Sequence, residues 1–305
     1  MNNSWKKYMK VGLVHFMAFP EVQKGNGPIL ETLKLILADD FFDVVEITTI
    51  NDLSIRQKVR EMLVTSKVTV AYGSQPVQLA NKLNLNSFND QERSYAVERC
   101  LACVDEAVEI GAVGIAFLSG SHPGNDKRVE ATNLLFDSFS KICAHATSQD
   151  TNLKVVLETF DFDIDKKALI GPNSEAVEFS QRIRESHNNF GLMLDLSHLP
   201  LQRESIEDAL SIAREHIVHA HMGNCVVKDA NHFAYGDQHP RFGIEGGEND
   251  VEEVVNYIRM LIQIGYLKEN EPRILSFEVK PVAGEASEIV IANAKRTLRE
   301  AWELV

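Results

Sequence analysis

The chain has 305 residues, 44% of them hydrophobic and 25% charged, with a formal net charge of −13. That composition is globular, carries no stretch long enough to span a membrane, and opposes duplex nucleic acid, which needs a basic face to displace counterions. Met1 to Lys10 carries three lysines without the apolar core of a signal peptide, and the four cysteines lack a secretory context, so a cytoplasmic protein with reduced thiols is expected.

Short apolar runs recur along the whole chain, at 11–16, 42–47, 68–71 and 114–118, and then at 154–158, 191–195, 216–221 and 273–278. Their length and β-branched content fit buried strands of a parallel sheet. Amphipathic stretches lie between them, with start and stop signals in place. Gly27-Pro28 opens a helix over 29–38, and Asn89-Asp90 precedes one that runs to Ile110 and stops at Gly111. Asn173-Ser174 caps 175–185, and Asn249-Asp250 introduces 251–264 before Gly265.

Eight strands alternating with eight helices predict an α/β fold, a (β/α)8 TIM barrel, as a single domain over residues 1–305. A doubly wound open sheet is the alternative; the first strand is not followed by the G-x-G-x-x-G turn of a dinucleotide fold. One irregular segment stands out, Met222 to Asn249, a long loop after strand seven of the kind that serves as a lid or binding element.

Four successive strand candidates end in metal-type ligands: Lys154-Val155-Val156-Leu157-Glu158, Gly191-Leu192-Met193-Leu194-Asp195, His216-Ile217-Val218-His219-Ala220-His221 and Arg273-Ile274-Leu275-Ser276-Phe277-Glu278. Strand tips form the mouth of such a fold, where its chemistry sits. Any one acid is equally well explained as a helix cap or a solvated loop residue. Four in succession point to a divalent-metal site of Glu158, Asp195, His221 and Glu278. Three hard oxygens and one imidazole favour Mn²⁺, then Mg²⁺ or Co²⁺, over structural Zn²⁺. Such an ion can stabilise an enediolate while Glu158 and Glu278 take and give a proton as the catalytic pair.

Lesser candidates surround this set. His198, three residues beyond Asp195, is placed to contact a substrate oxygen or act as a further ligand. Asp237 and His239 in the long loop form an Asp-x-His pair for substrate or a second ion. Glu46 ends the second strand, from which it can orient a sugar hydroxyl. His122, in Ser119-Gly120-Ser121-His122-Pro123-Gly124, can touch substrate, and the helix starting near Lys127 can hold a phosphate. His219 and His15 are expected as hydrogen-bonded core histidines. Cys100-Leu101-Ala102-Cys103 falls inside a helix and is read as packing, and Gly246-Gly247 as a turn.

The four ligands, with Asp195-x-x-His198 and His219-x-His221, resemble the xylose isomerase-like TIM-barrel superfamily over essentially the whole chain. That group includes sugar isomerases, ketose 3-epimerases, inosose dehydratases and endonuclease IV. The resemblance implies a sugar (phosphate) isomerase or epimerase in which Glu158 and Glu278 are both ligands and acid/base groups and His198 touches substrate oxygen. It implies a small sugar or sugar derivative as partner, tolerance of Zn²⁺ as well as Mn²⁺, and pairing of barrels into a homo-oligomer. Ketose 3-epimerases carry an arginine six residues after the histidine ligand, where this chain has Val227. His221-Met222-Gly223-Asn224-Cys225 and Gly236-Asp237-Gln238-His239-Pro240-Arg241-Phe242-Gly243 also look similar to the catalytic subunit of C-glycoside deglycosidases. That likeness implies a metal-dependent lyase on a 3-keto-sugar. A non-catalytic carbohydrate-binding barrel is the third alternative. Endonuclease IV uses more histidines on its early strands than this acidic chain supplies.

Overall fold

Each of the eight apolar runs forms a strand in the computed structural model, which describes residues Ser4–Val305. They are β1 (Met9–Val14), β2 (Val44–Ile47), β3 (Thr69–Gly73), β4 (Gly114–Phe117), β5 (Lys154–Glu158), β6 (Phe190–Asp195), β7 (Ile217–Gly223) and β8 (Arg273–Glu278). All neighbours pair in parallel in sequence order, and β8 closes onto β1 through Val11↔Leu275 and Gly12↔Ser276. The closed barrel excludes the open-sheet alternative.

Parallel strands in a barrel are covered on both faces, which is why these runs are apolar throughout. One face of each strand packs on the surrounding helices: Leu13, Val45, Ile115, Leu157, Leu192, Leu194 and Leu275 all belong to the large outer core. The other face fills the barrel, where Ala116, Val156 and Met193 pack together with Val218 against them. Successive side chains alternate, so the residue two beyond an inward one also points inward. Glu158 therefore stands one layer above Val156, and Asp195 one layer above Met193. Register completes the ring: Asp195 is level with His221, and Gly223 with Glu278. Room inside is tight. A Cβ on Gly12 would strike Ser276 Oγ and Val44, and one on Gly191 would strike Val218.

Helix boundaries follow their caps. Asn89 accepts from Gln91 and Glu92 N–H at the start of Asp90–Glu109, and Asp250 with Glu253 forms a capping box on Val251–Gln263. Cys100 and Cys103 are buried on the first of these helices, as packing predicts. Other expectations need correction. β1 ends at Val14 because residues His15–Ala18 turn into a short helix. The helix Asn173–Arg184 begins after Pro172, whose fixed φ suits a helix start, and not after an Asn173-Ser174 cap. Two long loops stand on the rim at the C-terminal ends of the strands, not one: residues 159–172 separate β5 from its helix. No helix among the described residues is long and apolar enough to cross a membrane.

Candidate metal centre and its pocket

Glu158, Asp195, His221 and Glu278 converge at the C-terminal ends of β5 to β8, each offering one ligand atom within 4.8 Å of the others. All four are buried. From His221 Nδ1 the carboxylate oxygens lie at 2.7 Å (Glu278), 3.7 Å (Asp195) and 3.9 Å (Glu158).

The remaining atoms of these side chains are held by the protein, which decides what is left over. Asp195 Oδ1 accepts from Ser197 N–H at 2.6 Å and Ser197 Oγ–H at 2.7 Å. Glu158 Oε2 accepts from Gln75 Nε2 at 2.7 Å. The Nε2–H of His221 donates to Glu46, 3.1 Å from Oε1, and in the bare site its Nδ1–H donates to Glu278 Oε2 at 2.7 Å, a proton that a cation bound there would displace. What remains is Asp195 Oδ2 and Glu158 Oε1, buried without a hydrogen-bond partner. An orphaned buried oxygen costs its full desolvation, about 1–3 kcal/mol and more when charged. Two of them aimed at one point with an imidazole nitrogen fit a divalent cation.

The charges of the bare site carry the same message. Burial and the neighbouring Glu278 push Glu158 up to about 8, while His239 and His221 overcome burial to hold Glu278 at about 2. Burial also raises Asp195. A cation among the three carboxylates would favour their ionised forms.

A second network lies beside the first. Asp237 Oδ1 accepts from His198 Nε2 at 3.1 Å and lies 2.8 Å from His239 Nε2, and Asp237 Oδ2 meets Lys166 Nζ at 2.6 Å. His198 Nδ1 faces the Thr159 carbonyl at 2.9 Å. Both partners of His198 are pure acceptors, so both ring nitrogens donate and the ring is an imidazolium. Burial opposes that charge, but Asp237 outweighs it and lifts His198 to about 10. With both nitrogens committed, His198 offers no lone pair to a metal. His239 reaches its place through a left-handed backbone, φ 49°, stabilised by Lys280 N–H donating to its carbonyl at 2.7 Å.

A cavity of about 150 Å³ opens above the carboxylates. Glu46, Glu158, His221, Asp237, His239 and Glu278 line it, as do Gln75, Lys166 and Lys280. Not all expected contacts reach it. His198 sits behind the wall, its ring 4.2 Å from that of Phe160. Glu46 lines the cavity, but its carboxylate is taken by His219 Nε2 at 2.7 Å as well as by His221. His122 is elsewhere: its Nδ1 accepts from Gly124 N–H at 3.1 Å, and its backbone N–H donates to the Lys167 carbonyl. The helix after it begins with Arg128, which is paired with Glu175. His15 and His219 are buried and hydrogen-bonded, His15 to Thr32 Oγ1 at 2.8 Å.

Sequence patterns did not single out Gln75, Lys166 or Lys280. Gln75 and Lys280 stand two residues past the ends of β3 and β8, a position that is itself a signal. Lys166 sits in an irregular loop pinned by Asp161, which accepts from the N–H groups of Ile164, Asp165 and Lys166 at 2.6–2.9 Å. Nothing periodic marks it.

Residues 37–293 match the family described as xylose isomerase-like TIM barrel, and the chain belongs to that family. No curated protein matches it in sequence. In structure it is similar to D-psicose 3-epimerase from Clostridium cellulolyticum H10, solved with D-tagatose, at 17% identity, 96% coverage of each chain and a TM-score of 0.68. It is similar to the IolI protein with a bound zinc atom, at 16% identity, covering 96% of this chain and 98% of that one, TM-score 0.72. It is also similar to 3-keto-D-glucoside 4-epimerase YcjR from E. coli, at 14% identity, covering 95% and 99%, TM-score 0.66. At such identities the likeness establishes the barrel and leaves the reaction to the site's own chemistry.

Proposed function

We propose that this protein is a divalent-metal-dependent isomerase or epimerase of a sugar or sugar derivative. The observation that carries the proposal is the pair of orphaned carboxylate oxygens, Glu158 Oε1 and Asp195 Oδ2, converging with His221 and Glu278 at the barrel mouth. A cation held by these four residues supplies positive charge to offset the oxyanion that develops when a proton leaves the carbon beside a carbonyl. Mn²⁺ suits the donor set best, with Mg²⁺, Co²⁺ or Zn²⁺ as substitutes.

The chain's own residues supply the proton transfer and its setting. Glu158 and Glu278 both line the cavity, and one removes the proton while the other returns it. Gln75 holds Glu158 in place from one side, and His239, 3.5 Å from Glu278 Oε1, does so for its partner. Phe16, Met17 and Phe160 in the wall keep the reacting end away from bulk water. Lys166, Lys280 and Gln238 offer donors to sugar oxygens. The substrate is a small molecule, and four free, buried cysteines accord with a reducing cytoplasm.

Keto-sugars turned over in deuterated water test the proposal. Deuterium at the carbon beside the carbonyl in an isomer of unchanged carbon skeleton is expected. An isomer without deuterium rejects it, two fragments or a dehydrated sugar point to the lyase, and protein that retains no metal while correctly folded points to a binding barrel.

A further inference from the structure

Two imidazoles meet at a single oxygen of Asp237. Its Oδ1 accepts from His198 Nε2 at 3.1 Å and lies 2.8 Å from His239 Nε2, and all three side chains are buried. Each imidazole leads on to a different glutamate of the cavity. His239 Nε2 stands 3.5 Å from Glu278 Oε1, so that edge of the ring lies between two carboxylates. His198 Nδ1 donates to the Thr159 carbonyl at 2.9 Å and lies 3.8 Å from Glu158 Oε1. Thr159 directly follows Glu158, and its own N–H donates to the Met193 carbonyl at 3.3 Å. Held on both sides, Thr159 keeps the end of β5 from fraying into the loop that follows. Asp237 is anchored in turn by that same loop. Its N–H donates to Asp165 Oδ2 at 2.8 Å, and its Oδ2 meets Lys166 Nζ at 2.6 Å. The preceding residue, Gly236, has φ 85°, and a Cβ there would come within 2.6 Å of Asp165 Oδ2, so glycine is what lets the two loops approach this closely. Both oxygens of the Asp237 carboxylate are therefore committed before any substrate arrives.

We propose that Asp237 is a positioning residue and not a substrate ligand. From one carboxylate it fixes His198 against the end of β5 that carries Glu158, and His239 against Glu278, and so sets the spacing of the two glutamates across the cavity. For the role of those glutamates, this rests on the isomerase or epimerase activity proposed above. A proton is taken from one carbon and returned to it only if both carboxyl groups keep their places, and a misplacement of about 1 Å costs about 10²-fold in rate. Carboxylates crowded into one site repel each other, and an imidazole beside each supplies the opposing pull.

Asp237→Asn tests this, because it keeps the side-chain volume while turning one acceptor into a donor that faces Lys166 or the imidazoles. On a keto-sugar that the wild type turns over, the Mn²⁺-loaded variant is expected to lose about 10²-fold in kcat, with KM unchanged and metal bound as tightly as before. A purely structural role would lower stability in urea and leave kcat per folded molecule intact, which overturns the proposal. A raised KM at full kcat makes Asp237 a substrate ligand. A second equivalent of metal that binds the wild type and not the variant makes it a metal ligand. Either result also overturns the proposal. Should Asp237→Asn fold poorly, His198→Gln severs only the branch to β5 and is expected to lower kcat in the same manner; full kcat there rejects that branch and the proposal with it. Crystal structures of the Mn²⁺-loaded wild type and variant give a readout without turnover. The His198 or His239 ring moves in the variant, and the carboxyl of Glu158 or Glu278 moves with it; carboxyls that stay in place sink the idea. If the wild type exchanges deuterium into no sugar yet the glutamates shift in the variant, the positioning stands and the isomerase proposal is the one that fails.

Discussion

His221 Nε2 lies 3.1 Å from Glu46 Oε1, and that one contact selects which nitrogen of the imidazole faces the carboxylates. With its Nε2–H pointing at Glu46, the ring turns Nδ1 toward Asp195, Glu158 and Glu278, where in the bare site it is hydrogen-bonded to Glu278 at 2.7 Å. Carboxylates behind metal-binding histidines orient the ring and raise its basicity, and their loss costs about 10–100-fold in metal affinity. Glu46→Gln is therefore expected to weaken Mn²⁺ binding by about that factor while the barrel stays folded. Metal titration alongside circular dichroism checks it; wild-type affinity in the variant would reduce Glu46 to a packing role.

The two glutamates that line the cavity are expected to be indispensable. Glu158→Gln and Glu278→Gln each remove a ligand charge and a proton acceptor, and either reduces turnover by about 10²–10⁴-fold or more. Thermal unfolding of the metal-free variants should stay close to wild type, because the amide keeps the shape. Full activity in both variants would refute the assignment of the site.

Lys166 and Asp237 join the two long loops of the rim through a 2.6 Å ion pair in which Asp237 is buried and Lys166 mostly so. Lys166→Met leaves Asp237 Oδ2 facing an apolar side chain. Hydrogen bonds to charged groups contribute about 1.5–3 kcal/mol, and a loss of that order is expected in urea unfolding. The hydrophobic volume is kept, so a loss near zero would show the pair to be dispensable.

His15, next in sequence to the wall residue Phe16, makes stability depend on pH. Burial lowers it from 6.5 to about 4, so the folded state resists a proton that the unfolded chain accepts. The contribution is complete above pH 6.5 and is lost as pH falls from there to about 4, a change of roughly 3 kcal/mol. His15→Gln, which keeps a donor for Thr32, is expected to flatten the stability profile across that window. Parallel profiles for the two proteins would assign the acid sensitivity to other groups.

Much of the barrel was legible before folding because burial writes itself into sequence. Strands covered on both faces must be apolar, and the four chemically out-of-place residues at their tips stand out against that background. Alternation along a strand then carries Glu158 and Asp195 to the inner face with no further information. Cap chemistry located the starts of Asp90–Glu109 and Val251–Gln263 equally well. Where local rules compete, the legibility fades: Pro172 displaced the expected Asn173-Ser174 cap, and His15 left the first strand for a short helix.

The sequence by itself determined the barrel, the order of its strands and the identity of the four residues at its mouth, because each depends on local periodicity and on a connection rule common to all such folds. Only the tertiary structure decided which atoms of those residues remain free. It paired Lys166 with Asp237, turned His198 into a cation hidden from the cavity, and kept His122 away. These outcomes depend on irregular loops meeting across the rim. Loops have no period to read, and the partners of their polar groups are chosen by distance in space.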